Sequence, residues 1–516
     1  MPVPNLLVRS RRLLCDHLTP VAAYRRLVAP DDRTAPSFLF ESVEQGGAVG
    51  RHSMLGARPA LEILATKRQV TLVDHRRGST RSLESDDPLS VARSLSERWI
   101  PFAPDGAPPA FHGGWVGVCG FDAVRWLEPA KLPFTDAPKD DRRLPDLHLG
   151  LYRSVVVFDH VTRLMHLVTA VPLEEHANES AARTAADEAI AALRAQITRP
   201  AKELEAAPID IDTASSPSVP PRSSFDRSGF ESAVRTAQEY VAAGDIFQVV
   251  LSQRLERETI ADPFEIYRAL RVVNPSPYMI YLQSAGAILV ASSPEILCRT
   301  RGPMVVSRPL AGTRPRGADP VADAALEAEL LADQKERAEH VMLVDLARND
   351  LSRVCASGTV EVVRCMEVER FSHVMHISST VTGRLHDGLG CWDALRASLP
   401  VGTVSGAPKI RAIQIIDELE PVRRGPYAGG IGCVGWNGDM DMALALRTMV
   451  VPTTIEPGGL ALRAGPPWTV WLQAGAGIVL DSDPTREYEE TLRKAAALGR
   501  AVDLAESAFH GATTRA

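Results

Sequence analysis

Short apolar or alternating runs, separated by few turn-forming residues, recur through both halves of this chain and restrict it to a fold built largely on hairpins. In the first half they are SFLFES from Ser37, LEILAT from Leu61, QVTLVD from Gln69, LYRSVVVFD from Leu151 and RLMHLVTAV from Arg163. The second half adds ILVASSPEILCRT from Ile288, MVVSRPLAGT from Met304, GGIGCVGW from Gly429, MALALRTMVV from Met442 and WTVWLQAGAGIVL from Trp468. Period-two alternation fills one face of a strand. Gaps this short join antiparallel neighbours, because a parallel pair needs a crossover of roughly a dozen residues. Helical patterns separate some of the strands. One is AADEAIAALRAQI from Ala185; another opens at Phe225, stops at Gly244 and gives way to the strand-like GDIFQVVLSQRLE. The fold class is therefore α+β, with large, mostly antiparallel β-sheets forming a sandwich-like core and helices outside. No repeat of fixed period is present.

A chain of 516 residues is long enough for a large core and more than one lobe. Residues 199–224, RPAKELEAAPIDIDTASSPSVPPRSS, crowd proline, serine and alanine without periodicity. They read as a linker or surface excursion between residues 1–198 and residues 225–516. A net charge of -7 supplies no basic field for nucleic acid. No run reaches the ~18–20 apolar residues of a membrane span. RSRRLL from Arg9 lacks the apolar stretch of a signal peptide and reads as a surface helix. The seven cysteines are scattered, odd in number and without a CxxC pair, which fits a reducing cytoplasm.

Two glutamate pairs stand out: Glu336 and Glu339 in DQKERAEHVMLVDLARNDL, and Glu487 and Glu490 in DPTREYEETLRKA. Residues three apart share a helix face, so each pair sets two carboxylates side by side. The first is expected on a helix from Leu326 to Asn349. Two readings fit both pairs: charged faces salt-bridged to neighbours such as Lys335, Arg337 and Lys494, or four hard oxygen donors suited to Mg²⁺.

Three glycine-dense stretches read as shaped loops. In VGTVSGAPKIRAIQIIDEL, Pro408 falls where a helix begins, and Thr403 and Ser405 add hydroxyls to the helix N-terminus. That is an anion cradle or a plain capped helix. PLAGTRPRG, residues 309–317, has a composition that disfavours regular structure. In QAGAGIVLDSDP, Gly475 and Gly477 either let a ligand approach the backbone or mark a strand bulge. Cys119, in GWVGVCGFD, lacks a nearby histidine or a nucleophile-elbow setting and reads as a packed thiol.

Taken in order, FLFES, GDIFQVVLSQR, NPSPYM, ASSPE, PLAGTRPRG, KERAEHVMLVDLARNDL, FSHVMHISS, GTVSGAPK, MALALRT, QAGAGIV and EYEETLRKA resemble the chorismate-utilising enzymes, most closely the large (component I) subunits of anthranilate synthases. The resemblance covers most of the chain from about Phe38 onward.

It implies a Mg²⁺-dependent attack of ammonia on chorismate. Glu339 and Glu490 would ligate the metal, with Glu336 and Glu487 holding its waters. Tyr427, Arg447 and the backbone of Gly475 and Gly477 would grip the enolpyruvyl carboxylate, helped by Thr403 and Lys494. Gly312 and Thr313 would join the substrate contacts. Glu295 would be the general acid for the C4 hydroxyl, and His376 would serve the step that releases pyruvate. Gln248 stands where water-using relatives carry a lysine base, and Ala311 where another branch carries a nucleophilic lysine; both favour ammonia at C2. The resemblance implies a separate glutamine amidotransferase subunit as ammonia donor, hence a hetero-oligomer. It also implies feedback inhibition by tryptophan at Glu41, Ser42, Pro277, Tyr278 and Met279. His52 and Met54 depart from the aromatic-rich GRYSFLG usual nearby. The rivals are an aminodeoxychorismate synthase component I and a non-catalytic tryptophan sensor.

Overall fold

The computed structural model describes residues 3–509 apart from 15, 30–31, 33, 43–49, 103–110, 200–203, 205, 208–216, 218–220, 372–373 and 454–464. Most of the expected linker thus lies outside the described residues. Its end, Arg222–Ser223, is a short strand paired with Glu256 and Leu255.

Two twelve-stranded sheets carry the fold, and every pairing within them that joins named strands is antiparallel. In one, Ser37–Glu41 pairs with Tyr278–Ser284, and the path continues through Ala287–Ser293, Thr448–Pro452 and Trp468–Ile478 to Gln248–Thr259. In the other, Gly430–Gly435 pairs with Gly114–Cys119, and the path ends at the edge strand Leu310–Pro315 beside Val374–Arg384. Both sheets therefore draw strands from either side of residues 199–224.

Alternation decides which face each side chain fills. Phe38, Phe40, Ile280 and Val450 of the first sheet meet Val116, Val118, Ile431 and Ala443 of the second in one buried cluster between the sheets. Leu39, Met279 and Tyr281 face the other way, into a cluster with helices Pro20–Leu27, Pro263–Val273 and Pro484–Phe509. The outer face of the second sheet packs on Cys391–Ser398 and Gln334–Ser352. The result is a β-sandwich with helices outside. Phe38 is fully buried, its ring 4.8 Å from that of Tyr152; truncation of such a residue to alanine costs about 3–5 kcal/mol.

Four local expectations are corrected. Arg9 to Leu14 continue the strand Leu6–Leu14 against Leu164–Pro172 and are not helical. As a sheet edge, that strand accepts arginines, which also discourage edge-to-edge pairing. The expected single helix is two, Pro320–Ala332 and Gln334–Ser352. Asp333 between them is extended, and its carboxylate accepts from the N–H groups of Lys335 and Glu336, capping the second helix. PLAGTRPRG is not a loop, because Leu310–Pro315 is an edge strand. There proline costs no ladder bond, and a shift in register at Gly312 (φ 63°) absorbs the irregularity. QAGAGI likewise belongs to the strand Trp468–Ile478, paired residue by residue with Gln248–Thr259.

Candidate active site

The ends of the Gln248–Thr259 and Trp468–Ile478 strands and the edge strand Leu310–Pro315 bring most of the expected residues into one region. Glu295 follows the strand Ala287–Ser293 and is 6 % exposed. Its Oε1 accepts the Thr403 hydroxyl at 2.9 Å. Burial pushes its carboxyl up to about 8, against a smaller opposing pull from Thr403. Among the described residues no cation pairs with it, and burial favours the neutral form, so Glu295 is an acid near neutral pH.

Thr403 lies in the short turn Gly402–Val404, ahead of the helix Lys409–Leu419. Pro408 caps that helix from outside instead of starting it. Ser405 is buried and donates back to the Val401 carbonyl at 2.9 Å, so it adds no donor to an anion cradle.

His376, on Val374–Arg384, places Nδ1 2.9 Å from the Gly312 carbonyl and 3.1 Å from Thr313 Oγ1. A carbonyl only accepts, so Nδ1 carries the proton and Nε2 keeps a free lone pair. The edge-strand bulge that turns Gly312 toward the ring thus fixes its tautomer. Burial, then Arg447, then Lys494 pull the imidazole down to about 4, against the Gly312 bond. The ring is neutral at physiological pH, and both cations act on it.

Arg447 sits in the turn between Met440–Leu444 and Thr448–Pro452 with φ 46°, left-handed for a non-glycine residue. Such backbone costs about 1–3 kcal/mol and persists where the surroundings enforce it. Burial lowers its guanidinium from the usual range. Among the described residues no carboxylate pairs with it, so it is a half-buried cation suited to an anion. A Cβ on Gly475 would lie 2.9 Å from the Tyr427 hydroxyl, and one on Gly477 would lie 2.5 Å from Gln248 Nε2. The two glycines hold open the space between these polar groups.

Each glutamate pair contains one member whose carboxyl rises. Burial raises Glu336, with Glu339 adding to the effect and Arg314 opposing it. Burial raises Glu487 too, with Ser482 opposing and Glu490 adding. The pairs flank the end of Trp468–Ile478: Gln248 Nε2 donates to Glu339 at 3.0 Å, and Lys494 Nζ reaches both Glu490 at 2.7 Å and the Gly475 carbonyl at 3.0 Å. Arg314 Nη1 is 3.3 Å from Glu336. The donor set and its excess of negative charge fit a hard divalent cation. Among the described residues, however, no group of three or more acidic, histidine or cysteine side chains converges closely enough to hold one. In this arrangement Lys494, Gln248 and Arg314 occupy three of the four carboxylates.

Of the expected tryptophan residues, Glu41, Tyr278 and Met279 lie on two paired strands but not on one face, and Ser42 and Pro277 adjoin the ends of those strands. Glu41 stands opposite Met279 and accepts from Tyr267 at 2.7 Å and from Arg271 Nη2 at 3.2 Å. Among the described residues the buried hydroxyl of Ser42 has no partner. Tyr278 points to the opposite side, donating to Asp441 at 2.9 Å and accepting from Arg299 at 2.7 Å. With Pro277 it lines a cleft beside Pro294 and Leu310. Cys119 is fully buried, and burial raises its thiol.

Sequence reasoning overlooked Arg314 and Phe371. The second packs edge-on against the His376 ring at 5.5 Å. Arg314 was legible as a charge in PLAGTRPRG but not as the partner of Glu336. Phe371 opens the motif FSHVMHISS, but nothing in the sequence marks it as the ring packed against His376.

Residues 35–500 match the family described as chorismate binding enzyme. The chain is 53% identical to anthranilate synthase alpha subunit 1, chloroplastic, of Oryza sativa subsp. indica, over 98% of this chain and 89% of that one. It is 43% identical to anthranilate synthase component 1 of Pseudomonas aeruginosa, over 97% and 96% respectively. The crystal structure of anthranilate synthase component I from Streptococcus pneumoniae TIGR4 superposes with a TM-score of 0.73 at 34% identity, covering 94% of this chain and 98% of that one. The menaquinone-specific isochorismate synthase of Escherichia coli shares the fold, with a TM-score of 0.68 at 20% identity. With its ordered motifs, its paired sheets and these relatives in agreement, the chain belongs to the chorismate binding enzyme family, in the branch of the anthranilate synthase large subunits.

Proposed function

We propose that this chain converts chorismate and ammonia to anthranilate, pyruvate and water. The observation that carries the reading is Glu295, a buried carboxyl raised to about 8 and oriented by Thr403. The C4 hydroxyl of chorismate leaves only with a proton, and Glu295 holds one at neutral pH. Ammonia forms the C2–N bond as the C4–O bond breaks and water departs, and the nitrogen sheds the extra proton. In the second step His376 Nε2, which among the described residues has no hydrogen-bond donor, is suited to take the C2 ring proton. The enolpyruvyl C–O bond then breaks, pyruvate leaves after taking up a proton, and the ring becomes aromatic. Arg447 binds the enolpyruvyl carboxylate in a bidentate grip, and Tyr427 and Lys494 complete the contacts. Gln248 has no basic lone pair to activate water, and Ala311, paired with Ile377 beside His376, offers no amine for a covalent adduct.

Mg²⁺ would be held by Glu339 and Glu490, with Glu336 and Glu487 on its waters, and would neutralise the ring carboxylate of chorismate. The ammonia would come from a separate glutamine amidotransferase subunit. Tryptophan would inhibit where Glu41, Ser42 and Met279 come together; the Ser42 hydroxyl, which has no partner among the described residues, supports that placement. The protein would work in the cytoplasm. No helix among the described residues is long and apolar enough to cross a membrane. The test is blue fluorescence of product from chorismate, Mg²⁺ and ammonium with the chain alone. Anthranilate supports the reading; accumulated aminodeoxychorismate supports the neighbouring branch, and no turnover supports a sensor.

A further inference from the structure

Two adjacent arginines in EPVRRGPYAGG, following the helix Lys409–Leu419, point in different directions. Arg423 pairs with Asp122, Asp140 and Asp146, away from the site. Arg424, 2 % exposed, turns beneath the site. Its Nε donates to Glu420 Oε2 at 2.9 Å and its Nη2 to Glu420 Oε1 at 2.5 Å. Nη2 also donates to the Val250 carbonyl at 2.6 Å, and Nη1 to the Val404 carbonyl at 2.7 Å. Glu420 Oε1 in turn accepts the backbone N–H of Ser252 at 2.7 Å and its hydroxyl at 2.9 Å. The guanidinium lies 5.7 Å from the Tyr427 ring centre.

Each of these contacts falls beside a residue already placed in the site. Val404 follows Thr403, the donor to Glu295. Val250 is two residues from Gln248 and is paired with Gly477; Ser252 is paired with Gly475. Tyr427 lies three residues beyond Arg424. An apolar pair of similar volume can be as stable as a buried ion pair, so stability alone does not account for this one. A planar fork of five donors can hold two backbone carbonyls and a carboxylate at fixed distances, as no apolar side chain can.

We propose that Arg424, locked by Glu420, is a positioning residue for the chorismate reaction: it fixes the Gly402–Val404 turn, the start of the Gln248–Thr259 strand and Tyr427 relative to one another, and so the aim of the Thr403–Glu295 pair at the substrate. This rests on the function proposed above.

The test compares wild type, Arg424→Lys and the double variant Glu420→Met/Arg424→Met. The double variant removes both charges together, so neither is left buried alone. Readouts are kcat and KM for chorismate with ammonium, the pH profile of kcat, the melting temperature, and the rise in melting temperature on adding chorismate. Both variants are expected to lose about 10²-fold in kcat, the scale of a 1 Å misplacement. The double variant also leaves the Val250 and Val404 carbonyls and the Ser252 N–H without these partners, so it should melt below wild type, and its kcat is compared at a temperature where it is folded. The alkaline limb of kcat should move to higher pH, because Thr403, which favours ionised Glu295, is no longer held against it. A folded double variant with wild-type kcat, KM, pH limb and chorismate-induced stabilisation overturns the proposal, as does a fall in melting temperature alone. Wild-type turnover reports separately on the function itself, and the chorismate-induced melting shift compares the variants even where turnover is absent.

Discussion

The Thr403 hydroxyl donates to Oε1 of Glu295 across 2.9 Å, and through this contact a turn before one helix orients a carboxyl at the end of a distant strand. Burial holds Glu295 near 8 and Thr403 draws it the other way. If the protonated form is the acid, kcat is flat at neutral pH and falls as pH rises through about 8. Thr403→Val removes the donor that favours the ionised form, so its alkaline limb should shift upward. Glu295→Gln should lose about 10²–10⁴-fold in kcat. Steady-state rates from pH 6 to 10 decide the matter; an unshifted limb in Thr403→Val would contradict the assignment.

His376 is neutral above about 4, so no acid limb from this group should enter kcat down to about pH 5. His376→Gln removes the Nε2 base but not the first step. The variant should release or accumulate the aminodeoxy intermediate while its anthranilate rate falls about 10²-fold or more. Chromatography of quenched reactions separates the two products. Equal loss of both would mean that His376 serves the first step as well.

Arg447 is a half-buried cation with which, among the described residues, no carboxylate pairs. Arg447→Met should weaken chorismate by about 1.5–3 kcal/mol, the worth of hydrogen bonds to a charged group. That corresponds to roughly 10- to 150-fold in affinity. Deleting the uncompensated charge should at the same time leave the melting temperature equal or higher. Chorismate titration and a thermal melt on the same sample test both halves. A large fall in melting temperature with unchanged affinity would make Arg447 a structural residue.

Much of this arrangement was legible in the sequence. The strands Ser37–Glu41, Leu61–Thr66, Gln69–Asp74 and Leu164–Pro172 stand where period-two alternation placed them, because one or both faces of each must be buried. Leu310–Pro315 was only partly readable: Leu310 to Thr313 fall within the strand-like run MVVSRPLAGT, whereas PLAGTRPRG as a whole reads as a shaped loop. Its glycine and prolines disfavour regular structure in isolation, and only its position at a sheet edge makes them tolerable. The break at Asp333 was hidden for a related reason: the helical pattern runs across it, and one carboxylate capping two N–H groups decides where the second helix begins. For the site, residue types were visible and partners were not. Glu336 and Glu339 read as an isolated pair, yet Gln248 and Arg314, distant in sequence, occupy them.

Those partners bear on the metal. Glu339→Gln and Glu490→Gln should each abolish turnover at saturating chorismate, and Mg²⁺ should raise the melting temperature of wild type but not of either variant. Titration of Mg²⁺ against thermal unfolding measures this without the reaction. Near-normal activity of either variant would remove these carboxylates from the metal site.

The most direct measurement supplies the purified chain with chorismate, Mg²⁺ and ¹⁵N-ammonium and follows the products by mass spectrometry. The account predicts ¹⁵N in anthranilate, with one pyruvate released for each anthranilate formed. Labelled product that still carries its enolpyruvyl group, an unlabelled hydroxylated product, or no turnover would contradict it.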